Sequence, residues 1–102
     1  MIIIDDNVLA RFRGVGKCQW CGIQSASLEA HHAYGRGFGG GTRIDHPWCL
    51  IMLCGSFERG CHGRAQSYEI PRDHILQVIA KREGTTVAAI EEFIYQTRRT
   101  KR

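Results

Sequence analysis

The sequence predicts a small α+β domain held together by a metal site. The chain has 102 residues, the size of one domain with a limited apolar core, so a bound ion would be a useful structural staple. Cysteine and histidine side chains that can bind metal recur between Cys18 and His62. Helical patterns fill the chain from Pro71 onward. Together these features predict a metal-stapled core with a helical extension.

The first part of the chain, residues 1–17, is predicted to be a helical lead-in that packs on the core. A short apolar start precedes a basic stretch from Asn7 to Arg13, which Gly14 and Gly16 close. Residues 18–70 form the predicted core. They show little regular periodicity, and five glycines between residues 35 and 41 predict a long flexible loop.

The last part, residues 71–102, is predicted to be a helical hairpin. Pro71 suits a first helical turn and Gly84 suits a helix stop. The apolar positions of the two predicted helices are Ile75, Leu76, Val78 and Ile79, and then Val87, Ile90, Phe93 and Ile94. The hairpin either completes the core or, in the manner of a helix-turn-helix, helps to grip DNA.

Charge and hydropathy favour a polyanionic partner and argue against a membrane span. Lys and Arg number 14 against 10 Asp and Glu, a net charge of +4, and the sequence pI is about 9.0. No segment has the roughly 18 consecutive apolar residues of a membrane span, and the start does not resemble a signal peptide. Five cysteines without a secretion signal are expected to be reduced thiols in the cytoplasm.

The cysteine spacing predicts a structural zinc site. Cys18 and Cys21, two residues apart, are typical of a knuckle whose two sulfurs reach one tetrahedral ion. Cys54 and Cys61 form the downstream pair, although six residues separate them. Cys49 is an alternative fourth ligand, but Cys61 is preferred because it precedes His62 directly. The imidazoles would serve a second site of different character, since thiolates and imidazoles prefer different ions.

Three segments carry a family resemblance. They are Glu29–Gly37, which contains a His-His pair, the apolar run Leu50–Gly55, and Gly60–Arg64. In this order and spacing, over residues 18–66, the chain resembles the HNH endonucleases of phages and prophages. The resemblance implies a ββα-metal fold, in which two antiparallel strands and a helix surround one catalytic Mn²⁺ or Mg²⁺ ion beside a four-cysteine zinc knuckle. It also implies double-stranded DNA as substrate and phage packaging proteins as possible partners.

The resemblance implies roles for the histidines. His31 and His62 would bind the catalytic ion, and His32 would be the general base. Neighbouring residues on a strand point to opposite faces, which agrees with one histidine binding metal while the other faces a water. Two alternatives stay open: His62 replaces Cys61 as a zinc ligand, or the histidine pair has no ligand role.

Two positions depart from the family pattern, and one arginine is the favoured substrate contact. Cys49 stands where the family has an Asn that supports the general-base loop, and a thiol is a weaker hydrogen-bonding group. Gln66 stands one turn after His62, where some members place another His ligand. These changes predict slow catalysis, a preference for Mn²⁺, or no activity. Arg36 is the favoured phosphate clamp, ahead of Arg43 and Arg64.

Three functions follow from these expectations. The first is a monomeric HNH endonuclease that hydrolyses a phosphodiester and nicks one DNA strand per encounter. The second is a zinc-knuckle module that binds DNA but has weak or no catalysis. The third is a structural zinc protein that binds another protein.

Overall fold

The computed structural model describes residues 2–3, 5–25, 27–33, 43–55 and 60–99. Strand β1 (Ile2–Ile3) and helix α1 (Asp6–Arg13) come first, followed by β2 (Leu28–His32) and β3 (Arg43–Ile44). A 3₁₀ turn (Pro47–Cys49) leads into β4 (Leu50–Cys54). Three helices complete the chain: α2 (Cys61–Gln66), α3 (Arg72–Glu83) and α4 (Val87–Arg99). The predicted α+β class is therefore correct, and helices occupy the regions where the sequence predicted them.

The central sheet is the antiparallel pair β2 and β4. Its register places His32 opposite Leu50 and His31 opposite Ile51. Because cross-strand partners share a face and neighbours alternate, the two histidines lie on opposite faces of the sheet. A second, parallel pair joins β1 to β3, with Ile3 opposite Ile44.

Helix α1 covers one face of the central sheet. It begins at Asp5, whose carboxylate accepts hydrogen bonds from the backbone N–H groups of Asn7 at 3.0 Å and Val8 at 3.3 Å. An N-cap of this kind typically contributes about 1 kcal/mol. Leu9 and Phe12 are buried in a small apolar cluster with two β4 residues, Leu50 and Met52. The predicted helical lead-in is thus part of the packed core.

Helices α2, α3 and α4 cover the other face of the sheet. Ile51 and Leu53 of β4 point into the larger apolar cluster, which also contains six buried residues of the last two helices: Ile75, Leu76, Ile79, Ala80, Ile90 and Ile94. Pro71 precedes α3 in an extended conformation, and Gly84 ends it with a left-handed φ of 69°, which glycine adopts without a steric cost. The Phe93 ring lies 4.4 Å from the His46 ring, so α4 completes the core.

Arg82 ties the helical hairpin to the rest of the molecule. Its guanidinium donates hydrogen bonds to Gln19 Oε1 at 2.9 Å and to the carbonyl of Pro47. It also lies 4.7 Å from the centre of the Phe12 ring. The side chain therefore joins α3 to α1, to the segment after Cys18 and to the 3₁₀ turn. Within the described ranges, no helix has both the length and the apolar character that a membrane crossing requires.

Candidate metal centres

Four cysteines form a cluster at one end of the central sheet. Cys18 and Cys21 come from the tight turn after α1, Cys54 ends β4, and Cys61 begins α2. Their four sulfur atoms all lie within 4.8 Å of one another. This is the four-cysteine set that the sequence predicted, and it can hold a metal ion. Neither Cys49 nor His62 belongs to the cluster.

The spacing of the sulfurs fits a tetrahedral ion. Ligands with metal–sulfur bonds of about 2.3 Å place adjacent sulfurs about 3.8 Å apart in a tetrahedron. The Cys21 and Cys54 sulfurs are 3.8 Å apart. The backbone N–H of Cys21 points at the Cys18 sulfur at 3.4 Å, and Gly22 closes the turn with a φ of 80°. The chain therefore presents the thiols in the arrangement that a thiolate-bound ion needs.

The electrostatics of the cluster favour a bound cation. Burial raises the pKa of the Cys18 thiol, but backbone N–H groups of Cys21, Cys54 and Trp20 outweigh burial and lower it to about 6. At Cys61, burial and the neighbouring thiols raise the pKa. One sulfur is thus prepared as a thiolate while another resists ionisation, since four negative sulfurs repel one another. A divalent cation removes that conflict.

Cys49 is buried in the larger apolar cluster and is not one of the four clustered sulfur ligands. It is only 1% exposed, and burial raises the pKa of its thiol to about 12. Its backbone carbonyl accepts a hydrogen bond from the N–H of Ala33 at 2.8 Å. The support for the segment after His32, which the sequence analysis sought in the Cys49 side chain, is made here by the main chain.

The second candidate centre combines His31 of β2 with His62 of α2. The ring centres are 5.3 Å apart, and the rings meet edge to face at 75°. Glu29, two residues before His31 and on the same face of the strand, lies 2.6 Å from His62 Nδ1 through Oε2. A carboxylate on one imidazole nitrogen fixes the ring and leaves Nε2 for an ion, the usual outer support of a metal-bound histidine.

The environment keeps His31 neutral. Burial lowers the pKa of its imidazole to about 4, and electrostatic repulsion from the neighbouring His62, His32 and Arg72 side chains lowers it further. A neutral imidazole is the form that binds metal. His31 is therefore available as a ligand at neutral pH.

His32 points to the opposite face of the sheet and pairs with a buried carboxylate. Its Nε2 lies 2.8 Å from Asp45 Oδ1, and the Asp45 side chain is 0% exposed. The other oxygen, Oδ2, accepts a hydrogen bond from the backbone N–H of Asp5 at 2.9 Å. Asp45 is not among the site residues that the sequence predicts, because its only signal there is an acidic residue directly after an apolar one.

A cavity of about 430 Å³ adjoins the histidines. Its lining includes His31, His32, His62 and the exposed Gln66. Tyr68 and Arg72, which the sequence analysis did not single out, also line it. Arg72 donates a hydrogen bond to the carbonyl of Ala33 at 3.0 Å and lies 5.9 Å from the Tyr68 ring centre.

Tyr68 has a left-handed φ of 62°, which is strained for a residue with a side chain and is common at functional sites. Its ring is 59% exposed. Tyr68 and the guanidinium of Arg72 give the cavity an aromatic and cationic rim. Such a rim suits a nucleotide better than an apolar ligand.

The structure describes only one of the three arginine side chains predicted to contact phosphate. Arg36 and the glycine-rich loop lie outside the described residues, as does most of the insert between Cys54 and Cys61, and the Arg43 side chain is also outside them. Arg64 makes an ion pair with Glu69 at 3.5 Å and is not among the cavity-lining residues. Arg72 is thus the arginine at the cavity within the described part of the chain.

Comparisons with known proteins add no homologue. The chain matches no protein-family model, no curated protein and no solved structure. A function is therefore inferred from the geometry of the two centres and from the cavity between the sheet and α2.

Proposed function

We propose that the chain is a divalent-metal-dependent DNA endonuclease of the HNH type, stapled by a structural zinc ion on its four cysteines. The observation that carries the proposal is the meeting of His31 and His62 across the β2–α2 interface, with Glu29 on His62 Nδ1. Two strands and a short helix bring these side chains to one cavity. That is the order of elements expected of a ββα-metal nuclease.

The donor set fits a divalent ion of the first transition series. His31 and His62 would hold it through imidazole nitrogens, and the cavity-lining Gln66 can add an oxygen. A bound ion of this kind stabilises negative charge on the phosphate and on the leaving oxygen. Because Mg²⁺ prefers oxygen ligands in a near-ideal octahedron and gives up its water reluctantly, we expect Mn²⁺ to support the higher rate at a site with two imidazoles.

The protein side chains supply the remaining functions. His32 is among the residues at the same cavity, and its ring is oriented toward Asp45. In the proposed mechanism its neutral imidazole accepts the proton of the attacking water. The guanidinium of Arg72 at the rim attracts and orients a phosphate. The volume of about 430 Å³ lies in the range of small-ligand sites and accommodates one phosphodiester with its flanking sugars.

One site per chain sets the expected product. A monomer with a single site breaks one strand per encounter, so a nicked circle forms before any linear product. The net charge of +4 supports binding to the phosphate backbone, which makes the activity sensitive to salt.

The test incubates supercoiled plasmid with zinc-loaded protein in Mn²⁺, Mg²⁺ or EDTA. We expect nicking with Mn²⁺, slower nicking with Mg²⁺ and none with EDTA. His32→Ala should reduce the rate by about 10²-fold or more because the general base is lost. His74→Ala is the matched control, since His74 is an exposed histidine outside the cavity. Cleavage that survives His32→Ala unchanged would contradict the assignment of His32.

A second candidate is a zinc-knuckle module that binds DNA without cutting it. Two observations favour it: the Cys49 thiol is buried in the apolar core, and the cavity-lining Gln66 is a weak metal ligand. Plasmid that stays supercoiled in every ion but shifts in a native gel with wild-type protein would establish this candidate and exclude the endonuclease.

A further inference from the structure

We propose that Asp45 is a positioning residue for the general base: its carboxylate holds the Nε2–H of His32 and so leaves Nδ1 as the atom that accepts the proton. The inference deepens the proposed endonuclease function and rests on it. It assigns a mechanistic role to a residue outside the three segments that carry the family resemblance.

The burial of Asp45 indicates that it is more than a surface contact. A side chain that is 0% exposed loses the hydration of its charge, which costs several kcal/mol unless hydrogen bonds compensate. Here each carboxylate oxygen has a donor, His32 Nε2 at 2.8 Å and the backbone N–H of Asp5 at 2.9 Å. Of these two donors, the backbone N–H is fixed by the chain, whereas the His32 ring can change its tautomer and orientation. The carboxylate therefore acts on the ring.

The pairing dictates which nitrogen of His32 carries the proton. An ionised carboxylate only accepts hydrogen bonds, so the imidazole nitrogen that faces it must be protonated. In a neutral ring the other nitrogen, Nδ1, then holds the free lone pair. Asp45 thereby selects one tautomer and one ring orientation, as the aspartate of a Ser-His-Asp triad does for its histidine.

Phosphodiester hydrolysis then uses His32 Nδ1 as the proton acceptor. The water oxygen forms a bond to phosphorus while its proton moves to His32 Nδ1. The bond from phosphorus to the leaving sugar oxygen breaks, and that oxygen takes a proton from solvent. The ring is an imidazolium at the end of the step, and the adjacent Asp45 carboxylate stabilises its charge until Nδ1 returns the proton to water.

The N-terminal part of the chain takes part in this arrangement. Strand β3 ends at the buried Ile44, and Asp45 follows it directly. Parallel pairing of β1 with β3 brings the backbone of Asp5 to the outer oxygen of Asp45. The N-terminal segment therefore holds the Asp45 carboxylate in place through the Asp5 N–H, and this carboxylate in turn orients the His32 ring.

The variant Asp45→Asn tests most directly whether the carboxylate sets the tautomer of His32. The amide has one acceptor oxygen, so when this oxygen serves the Asp5 N–H the amide NH₂ faces His32 and forces the opposite tautomer. We expect kcat to fall by about 10²- to 10⁴-fold while KM stays within about threefold. Asp6→Asn removes the same charge from an exposed position and should keep the wild-type kcat.

Nitrogen NMR of the His32 ring at neutral pH gives a readout that does not depend on activity. The wild type should carry the proton on Nε2, and Asp45→Asn should move it to Nδ1 at unchanged zinc content. A wild-type ring protonated on Nδ1, or an Asp45→Asn kcat within about threefold of wild type, would overturn the inference. If the wild type cuts no DNA in any ion, the proposed function fails, and the NMR result still decides whether Asp45 orients His32.

Discussion

At the scale of single residues, four of the five histidines have one of three different environments. His31 and His62 face each other over the cavity, and His32 is held by the buried Asp45. His46 has a structural task, because its Nδ1 accepts a hydrogen bond from the backbone N–H of Trp48 at 3.1 Å and so caps the 3₁₀ turn. One side-chain type thus serves as a proposed ligand, a proposed base and a cap, according to what lies beside it.

The cap made by His46 predicts a pH dependence of stability. Burial lowers the pKa of its imidazole from the ordinary 6.5, against the opposing charge of Glu83. The unfolded chain therefore binds the proton first, so the contribution of neutral His46 is complete above about pH 6.5 and is lost as the pH falls below it, by at most about 1.4 kcal/mol per pH unit.

The check is urea unfolding of wild type and His46→Asn at pH 7, 6 and 5. Asn retains a capping oxygen but does not titrate, so the stability difference between the two proteins should shift in favour of the variant as the pH falls. Parallel stability curves over this range would contradict the role of His46. Because both proteins contain the same cysteine cluster, any acid loss of metal cancels in the difference.

At the scale of elements, the metal cluster and the short helix α2 depend on each other. The helix spans only six residues, and its N-cap, Gly60, provides no side-chain hydrogen bond. A helix this short is unstable in isolation. Cys61 begins it and belongs to the sulfur cluster, while the next residue, His62, points to the cavity. An ion bound to the four cysteines would therefore hold in place the helix that presents a proposed catalytic ligand.

Removal of the Cys61 thiol should accordingly abolish both metal retention and activity. Elemental analysis after dialysis should find one zinc per chain in the wild type and a clear deficit in Cys61→Ser. Cys49→Ala is the matched cysteine control, because Cys49 is equally buried but lies outside the cluster. It should keep its zinc and lose stability, by about 1–3 kcal/mol, through the missing side-chain volume. Equal zinc loss in the two variants would contradict the four-cysteine site.

At the scale of the whole molecule, local signals could be predicted and long-range pairings could not. Pro71 and Gly84 mark the ends of α3 through their own backbone preferences, and the Cys18–Cys21 spacing is a short-range pattern. In contrast, His32 and Asp45 are 13 residues apart and Arg72 and Ala33 are 39 apart. Sequence periodicity does not predict such contacts, because they depend on how β3 and α3 pack against the sheet. The left-handed φ of Tyr68 could not be predicted either, because tyrosine has no preference for this conformation.

The most direct test of the account measures plasmid nicking in Mn²⁺ by wild type and by His62→Ala, with zinc content determined on the same samples. His62 is the proposed ligand that α2 contributes, and it is not a member of the cysteine cluster. We expect one zinc in both proteins, nicking by the wild type that EDTA stops, and a loss of about 10²-fold or more in the variant. A wild type that leaves the plasmid intact, or a His62→Ala protein that nicks it at the wild-type rate, would contradict the proposed function.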